Sequence, residues 1–299
     1  MNKPKVIVIL GPTTSGKSDL AVKLALKFRG EIISADSRQV YKGLDIGSGK
    51  IKDEEKQGVP HYLLDVLEPQ KTFTVSQYKR LGEKKLKDIT DRLKLPIIVG
   101  GTGFYIDALT GTIDFPEVKP NKKLREELEQ KSVEELFKML EAKDPLRAKT
   151  IDKHNKPRLI RALEIIEAIG KVPPLSNVQP GRLNIYEFIF IGLNLDKEKL
   201  EEKIYKRLIN RLPEILKECE KLQENGLSWK RMFELGLEYR YASLYLKGKM
   251  TKEEMEKKLF IEIKKYAKRQ MTWFKRNKKI KWFKPEELKD IENYLETLL

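Results

Sequence analysis

The sequence predicts an α/β protein built on a parallel sheet, with a helical insertion and a helical C-terminal region. Two observations predict the sheet. An apolar run at 6–10 leads directly into a glycine-rich octapeptide at 11–18, and a helical pattern follows it. Further short apolar runs occur at 31–35, 95–99 and 188–193, with helical stretches between them. Short apolar runs without alternation are typical of strands that are buried on both faces of a parallel sheet.

The octapeptide is predicted to bind phosphate. Gly11 and Gly16 allow backbone conformations that side chains block, so that successive amide groups form an anion nest at the start of a helix. Lys17 adds a mobile cation, and Ser18 offers a hydroxyl to a Mg²⁺ ion that also touches the phosphates. A glycine-rich turn without a ligand is the alternative, but strand, loop and helix occur in the order that a P-loop requires. The core is therefore predicted to be P-loop NTPase-like. The loop alone does not show which ligand carries the phosphate groups.

Composition and charge indicate a globular protein with a polyanionic partner. The chain has 299 residues, 40% of them hydrophobic, and a formal net charge of +16. An excess of this size favours nucleic acid as the partner. A Lys- and Glu-rich thermophilic composition is the alternative, although it explains the number of charges better than their imbalance. One Cys and two His leave little for a disulfide or a metal cluster, and no apolar stretch predicts a membrane span or a signal peptide. These features are consistent with a protein of the reducing cytoplasm.

Polar residues follow two of the predicted strands where each strand ends. The run at 31–35 is followed by Asp36-Ser37-Arg38-Gln39, and the run at 95–99 by Gly100-Gly101-Thr102-Gly103. Ligands of open α/β sheets bind beyond the carboxyl ends of the strands, so both segments should share one crevice with the phosphate loop. Asp36 is therefore a catalytic candidate. Its alternative role is a helix N-cap, and the alternative for the glycines is a tight strand-to-helix turn.

The segment between these strands predicts a loop and a crossover helix. Residues 42–70 are polar and rich in turn formers, with a short edge element, and 74–91 has helical periodicity. His61 stands alone beside Pro and aromatic residues. We interpret it as structural rather than as a proton carrier.

The remaining chain is mostly helical. We place a helical insertion at 117–184, acting as a lid, and the core at 1–116 and 185–299. Within the insertion, Arg158 and Arg161 are three residues apart and share a helix face, which from the residues alone favours a solvated surface. Residues 264–281 mix cations with aromatic side chains, a composition suited to phosphate and base contacts, although Trp273 is expected to pack inward.

A set of six motifs resembles the tRNA dimethylallyltransferases, also called tRNA isopentenyltransferases, in order from residue 6 to about 284. The motifs are Gly11 to Ser18, Asp36 to Tyr41, Asp45-Ile46-Gly47, Gly100 to Tyr105, Arg158 to Glu164, and Tyr266 to Gln270 with Trp273-Phe274. The resemblance implies transfer of a dimethylallyl group from its diphosphate to N6 of the adenosine at tRNA position 37, in tRNAs that read codons beginning with U. The implied partners are the tRNA anticodon stem-loop and dimethylallyl diphosphate, with Mg²⁺ as cofactor and no membrane. We expect a cytoplasmic monomer.

The resemblance also assigns roles to residues. Asp36 matches the proposed base, and Thr14 and Thr102 assist at the leaving group and at the adenine. Arg207 is preferred over Arg211, one turn further along the same helix, as the diphosphate ligand. The full catalytic set is Asp36, Thr14, Lys17, Thr102 and Arg207. The diphosphate-binding set is Gly11, Pro12, Thr13, Thr14, Ser15, Gly16, Lys17, Ser18 and Arg207, with Ser18 also at the metal.

For tRNA, the implied contacts replace the solvated-face interpretation of the insertion arginines. They are Asp36, Ser37, Arg38, Gln39, Thr102, Arg125, Pro157, Arg158, Leu159, Ile160 and Arg161. Pro157 stands where relatives usually have Gln, which leaves one RNA contact open. Thr14 and Ser18 stand where relatives often have Ala and Thr, and both changes keep the loop chemistry.

Two other classes of function remain as alternatives. Phosphate loops most often hold ATP, which allows a small-molecule or nucleotide kinase. Against a kinase, no acidic strand end beyond Asp36 offers a second magnesium ligand. A non-catalytic RNA-binding module is the other alternative, and the Asp-containing crevice motif argues against it because binding alone needs only cations and stacking surfaces.

Overall fold

The structure is a computed structural model that describes residues 3–113, 116, 118–173 and 185–299. The chain divides into two compact units, one formed by 1–110 with 182–299 and the other by 111–181. The predicted boundary of the insertion at 117–184 lies within a few residues of this division. No helix among the described residues is long and apolar enough to cross a bilayer.

The first unit is built on a six-stranded sheet in which every pair of neighbours is parallel. In chain order the strands are β1 (Lys5–Leu10), β2 (Gly30–Ser34), β3 (His61–Tyr62), β4 (Leu95–Gly100), β5 (Glu187–Leu193) and β6 (Lys281–Phe283). Their order in space is β3-β2-β4-β1-β5-β6. Ile7 at the centre pairs with Ile97 on one side and Ile189 on the other. The α/β prediction is therefore confirmed.

Helices cover the sheet and complete the first unit. They are α1 (Lys17–Phe28), α2 (Asp53–Lys56), α3 (Val75–Asp91), α4 (Gly103–Leu109), α9 (Lys197–Glu224), α10 (Trp229–Leu235), α11 (Leu237–Leu246), α12 (Lys252–Phe274) and α13 (Leu288–Glu296). The crossover helix α3 begins as its sequence dictates. The Thr74 hydroxyl accepts from the Gln77 amide, and the Gln77 side chain accepts from the Thr74 amide, which forms a capping box.

The second unit contains α5 (Lys122–Glu129), α6 (Val133–Lys143), α7 (Pro145–Ala148) and α8 (Lys156–Ile169). Leucines from three of these helices form its own apolar core: Leu128, Leu136, Leu140 and Leu159. Helix α8 begins at an Asn155 cap with Pro157 in its first turn, and ends at Gly170 in the left-handed region. The helical prediction for this region is confirmed.

Two short elements were not predicted. They are the single turn α2 and, near the C-terminus, the strand β6. The strand β6 has only three residues, and it forms because Trp282 and Phe283 pair with Gly192 and Leu193 of β5. A strand that depends on a partner about 90 residues away leaves little local pattern. The predicted edge element is confirmed as β3, where the His61 Nδ1–H donates to the Val59 carbonyl, 2.8 Å away.

Candidate active site

A cavity of about 1150 Å³ lies in the first unit at the carboxyl ends of the strands. Its wall includes the phosphate loop after β1, the segment 36–39 after β2 and the turn after β4. Helices α9, α11 and α12 complete the wall. The three strand ends that were predicted to share a crevice therefore do so.

The phosphate loop has the backbone that its glycines were predicted to allow. Gly11 has φ +152°, and a Cβ there would lie 2.6 Å from the carbonyl oxygen of Leu193. Gly16 has φ +83°. Thr14 is also left-handed, with φ 63°, and its hydroxyl donates to the Thr13 carbonyl at 2.6 Å. A non-glycine residue in this region costs on the order of 1 kcal/mol, and such strain is common where a loop is shaped for a ligand.

Lys17 and Arg207 form the cationic part of the cavity. Burial, with Arg207 as a second cause and Asp36 opposing, lowers the pKa of Lys17 to about 7. The Lys17 ammonium donates to the Pro12 carbonyl at 2.5 Å. Arg207 extends from α9 to the loop, with Nη1 3.5 Å from the Thr13 hydroxyl, and burial also lowers its pKa. Neither cation has an acidic partner within ion-pair distance among the described residues, so both would be stabilised by an anion.

Arg211 enters the same space one turn further along α9. A Cβ at Gly49 would lie 1.8 Å from Arg207 Nη2 and 3.2 Å from Arg211 Nη1, so the missing side chain makes room for both guanidinium groups. Glu238 of α11 lines the cavity too, and burial raises its pKa while the two arginines oppose the shift. Glu238 was not predicted. The structure places Arg207 nearer than Arg211 to the loop, and the choice between them as ligand stays a prediction.

The two carboxylate oxygens of Asp36 differ in their hydrogen bonding among the described residues. Its Oδ1 accepts from the amides of Arg38 and Gln39, at 2.8 and 3.3 Å. This is the capping geometry of the alternative interpretation, applied to a turn rather than to a helix. Within the described part of the chain no hydrogen bond reaches Oδ2, and Asp36 lines the cavity. The capping role and a catalytic role are therefore compatible in one side chain.

Hydrogen bonds to neighbouring elements fix the three residues that follow Asp36. The Ser37 amide donates to the Thr102 hydroxyl at 3.0 Å, which joins the ends of β2 and β4. Arg38 Nε donates to the Leu235 carbonyl, and Gln39 bridges the Ser34 hydroxyl and the Gly49 carbonyl. These bonds fix the segment that was predicted to read the base, but they also occupy part of its polar groups.

The Asp45-Ile46-Gly47 motif binds a glutamate that sequence reasoning did not identify. The Glu218 carboxylate on α9 accepts from all three amides, at 2.9, 2.5 and 3.0 Å. Tyr239 donates to the same carboxylate and accepts from the Ser48 amide. A Cβ at Gly47 would lie 2.6 Å from the Tyr239 ring. The motif is therefore an anion nest for the protein's own glutamate, which holds the loop that carries Gly49.

The predicted tRNA residues of the second unit fall into three groups. Arg125 and Arg161 both bind Glu164, whose carboxylate is 1% exposed and which also accepts from the Asn121 amide. These partners lower the pKa of Glu164 to about 2 against the opposing effect of burial. Leu159 and Ile160 are 0% and 4% exposed, so their side chains belong to the unit's core and are not available to RNA. Pro157 and Arg158 lie at the surface.

A second concave surface, of about 450 Å³, lies along α12. We call it the α12 basic face; it consists of Lys265, Lys268, Arg269, Thr272, Trp273 and Arg276. The Arg276 guanidinium lies 3.8 Å from the Trp273 ring centre, and the indole nitrogen donates to Asp107 at 2.8 Å. Trp273 is thus half-buried, between the inward and outward roles considered from sequence. Arg269 also lines the large cavity, so the two surfaces meet at this residue.

The fold and the cavity define a P-loop protein with an anion cradle that faces a carboxylate at the next strand end. A family model described as IPP transferase matches residues 39–277. A tRNA dimethylallyltransferase from Anoxybacillus flavithermus is 41% identical over 93% of this chain and 90% of its own, and one from a Thermoanaerobacter species is 40% identical over 99% and 96%. The chain belongs to the IPP transferase family.

Solved structures give the same result. The full-length tRNA isopentenylpyrophosphate transferase of Bacillus halodurans has a TM-score of 0.74 at 34% identity, over 99% of this chain and 96% of its own. A eukaryotic dimethylallyltransferase, crystallised acting on tRNA, has a TM-score of 0.80 at 26% identity, over 96% of this chain and 75% of its own. None of these proteins supports the kinase alternative.

Proposed function

We propose that this protein transfers a dimethylallyl group from dimethylallyl diphosphate to N6 of the adenosine at position 37 of tRNAs that read codons beginning with U. The observation that carries the proposal is the juxtaposition of Lys17 and Arg207 with Asp36 in one cavity. Among the described residues, neither cation has an acidic partner within ion-pair distance. Such a cavity fits an anionic leaving group beside a proton acceptor. The names of the relatives supply the substrate classes.

The chemistry assigns these groups their roles. The exocyclic amine of adenine is a weak nucleophile, so positioning and proton removal both lower the barrier. As N6 bonds to the allylic carbon, the carbon–oxygen bond breaks and its electron pair leaves with diphosphate. Asp36 takes the proton from N6. Lys17, Arg207 and the loop amides stabilise the charge that develops on the diphosphate.

A Mg²⁺ ion fits this site if Ser18 supplies one of its ligands and the diphosphate supplies others. Ser18 is exposed on the cavity wall, and a hydroxyl is a suitable hard donor. No group of three or more His, Cys, Asp or Glu side chains within the described ranges could hold a metal ion. The diphosphate oxygens would therefore provide other ligands, and bound Mg²⁺ would help to neutralise the leaving group.

The tRNA must present its adenine outside the base stack, because a stacked base cannot enter a cavity at strand ends. The α12 basic face reaches this cavity at Arg269, and within the described part of the chain no acidic residue pairs with Lys268 or Arg269. These cations are suited to the phosphates beside the extruded adenosine. We further propose that the enzyme acts in the cytoplasm as a monomer.

The direct test incubates the protein with unmodified tRNA, Mg²⁺ and either dimethylallyl diphosphate or ATP. We expect one adenosine per tRNA to gain the mass of a five-carbon unit with the first donor only, measured by mass spectrometry of nucleosides. ATP consumption without that gain would favour a kinase instead.

A further inference from the structure

Gln270 of α12 connects two of the loops that form the cavity. Its Oε1 accepts from the Thr13 amide at 2.9 Å, and its Nε2 donates to the Gly101 carbonyl at 2.9 Å. The side chain is 6% exposed and lines the cavity wall. One amide group therefore joins the phosphate loop after β1 to the turn after β4.

The site is built for an amide. Asn and Gln carry an uncharged donor and acceptor in one planar amide at every ordinary pH, and the longer Gln spans the gap between the loops. A Cβ at Gly101 would lie 2.3 Å from Gln270 Nε2, so glycine at this position allows the contact. Because the Gln270 side chain is only 6% exposed, loss of either bond leaves a poorly solvated polar group without its protein partner.

The two loops serve opposite sides of the proposed reaction. The phosphate loop carries Lys17 beside the leaving group. The turn carries Thr102, whose hydroxyl accepts from Ser37 next to Asp36 and contacts the Tyr266 hydroxyl. Tyr266 lies one turn before Gln270, so both side chains project from the same face of α12. Helix α12 thus touches the electrophile side and the nucleophile side at neighbouring positions.

We propose that Gln270 is a positioning residue that sets the phosphate loop at a fixed distance from the Thr102 turn, so that the allylic carbon and the adenine nitrogen align. This inference rests on the proposed function. It implies that each substrate binds almost normally without Gln270, while the chemical step suffers. It also implies that the Thr13 amide is held by the protein and is not one of the amides that grip diphosphate.

The test compares Gln270→Met, which keeps the length and removes both bonds, with Gln223→Met at an exposed site near the end of α9. Single-turnover rate, affinity for inorganic diphosphate and affinity for tRNA are measured for each. We expect Gln270→Met to reduce the rate by roughly a hundredfold, the effect that a misplacement of about 1 Å can have. Both affinities should stay within threefold, and Gln223→Met should match the parent.

Gln270→Glu provides a second readout. When protonated, the introduced carboxyl can donate to Gly101 and accept from Thr13, so the rate relative to the parent should recover as the pH is lowered. The defect of Gln270→Met should not depend on pH. A rate within twofold of the parent for Gln270→Met, or a loss explained fully by weaker substrate binding, would overturn the proposal. Failure of the parent to transfer the group would instead count against the proposed function, so the activity of the parent distinguishes the two cases.

Discussion

The cations of the cavity and those of the helical insertion differ in what neutralises them. Lys17 and Arg207 are half-buried and have no acidic partner within ion-pair distance in the described structure. Each has a lowered pKa, with desolvation as the main cause and the positive charge of a neighbouring arginine as the second. Arg125 and Arg161 share the buried carboxylate of Glu164, whose pKa is lowered to about 2. The first pair is arranged to receive an anion, whereas the second already has one. Position in a charged motif therefore does not reveal whether a cation stabilises the fold or awaits a ligand.

Removing one cation from each region is expected to give the largest difference between them. We expect Lys17→Met to lower kcat by roughly a thousandfold, because the leaving group loses a nearby, half-buried positive charge. Its melting temperature should stay the same or rise, since a desolvated ammonium is also lost. The matched variant Arg161→Met should keep kcat within threefold but melt earlier. Equal losses of activity in the two variants would contradict the distinction.

The carboxylate of the insertion gives the converse test. Glu164→Gln should lower the free energy of unfolding by about 2 kcal/mol, because charged hydrogen bonds to two arginines are weakened. In the parent, the pKa of Glu164 is lowered from 4.5 to about 2, so its contribution is present above pH 4.5 and is lost as the pH falls towards 2. Thermal unfolding at several pH values should show a smaller acid-dependent loss in the variant. Identical pH profiles would refute this role of Glu164.

Proton uptake by Lys17 on anion binding is a further test of the cavity cations. The pKa of Lys17 is lowered to about 7, and a bound anion raises it again. Binding of inorganic diphosphate at pH 8 should therefore take up a proton, and affinity should fall as the pH rises above 7. Calorimetry in buffers of different ionisation enthalpy measures this uptake. Lys17→Met should show none, and an unchanged uptake would assign the proton to another group.

The smallest effect is expected on the α12 basic face. Charge reversal in Lys268→Glu should weaken tRNA binding severalfold and reduce the slope of log affinity against log salt by about 0.7 to 0.9. The control is Lys258→Glu, an exposed position on the same helix away from the face. Affinity for inorganic diphosphate should not change in either variant. Equal effects of the two reversals on tRNA would show only a general charge effect.

Local patterns in the sequence predicted the main strands, the phosphate loop and the approach of Asp36 and Thr102, since parallel strand ends meet at one edge. They did not predict the contacts of Glu218, Tyr239, Glu238 or Gln270. Glu218 binds amides more than 170 residues away, and Gln270 binds Thr13 at a separation of 257. Only folding brings such groups together. The pairing of Arg161 with Glu164 follows i,i+3 spacing and was readable from the sequence, whereas the contribution of Arg125 from another helix was not.

Asp36→Asn separates the two proposed roles in the cavity, in which Asp36 accepts the N6 proton and the cations hold the diphosphate. Asparagine keeps the Oδ1 acceptor for the amides of Arg38 and Gln39, so the turn should persist. We predict that affinity for inorganic diphosphate stays within threefold of the parent while single-turnover transfer falls by about a hundredfold or more. Normal transfer by this variant would contradict the account.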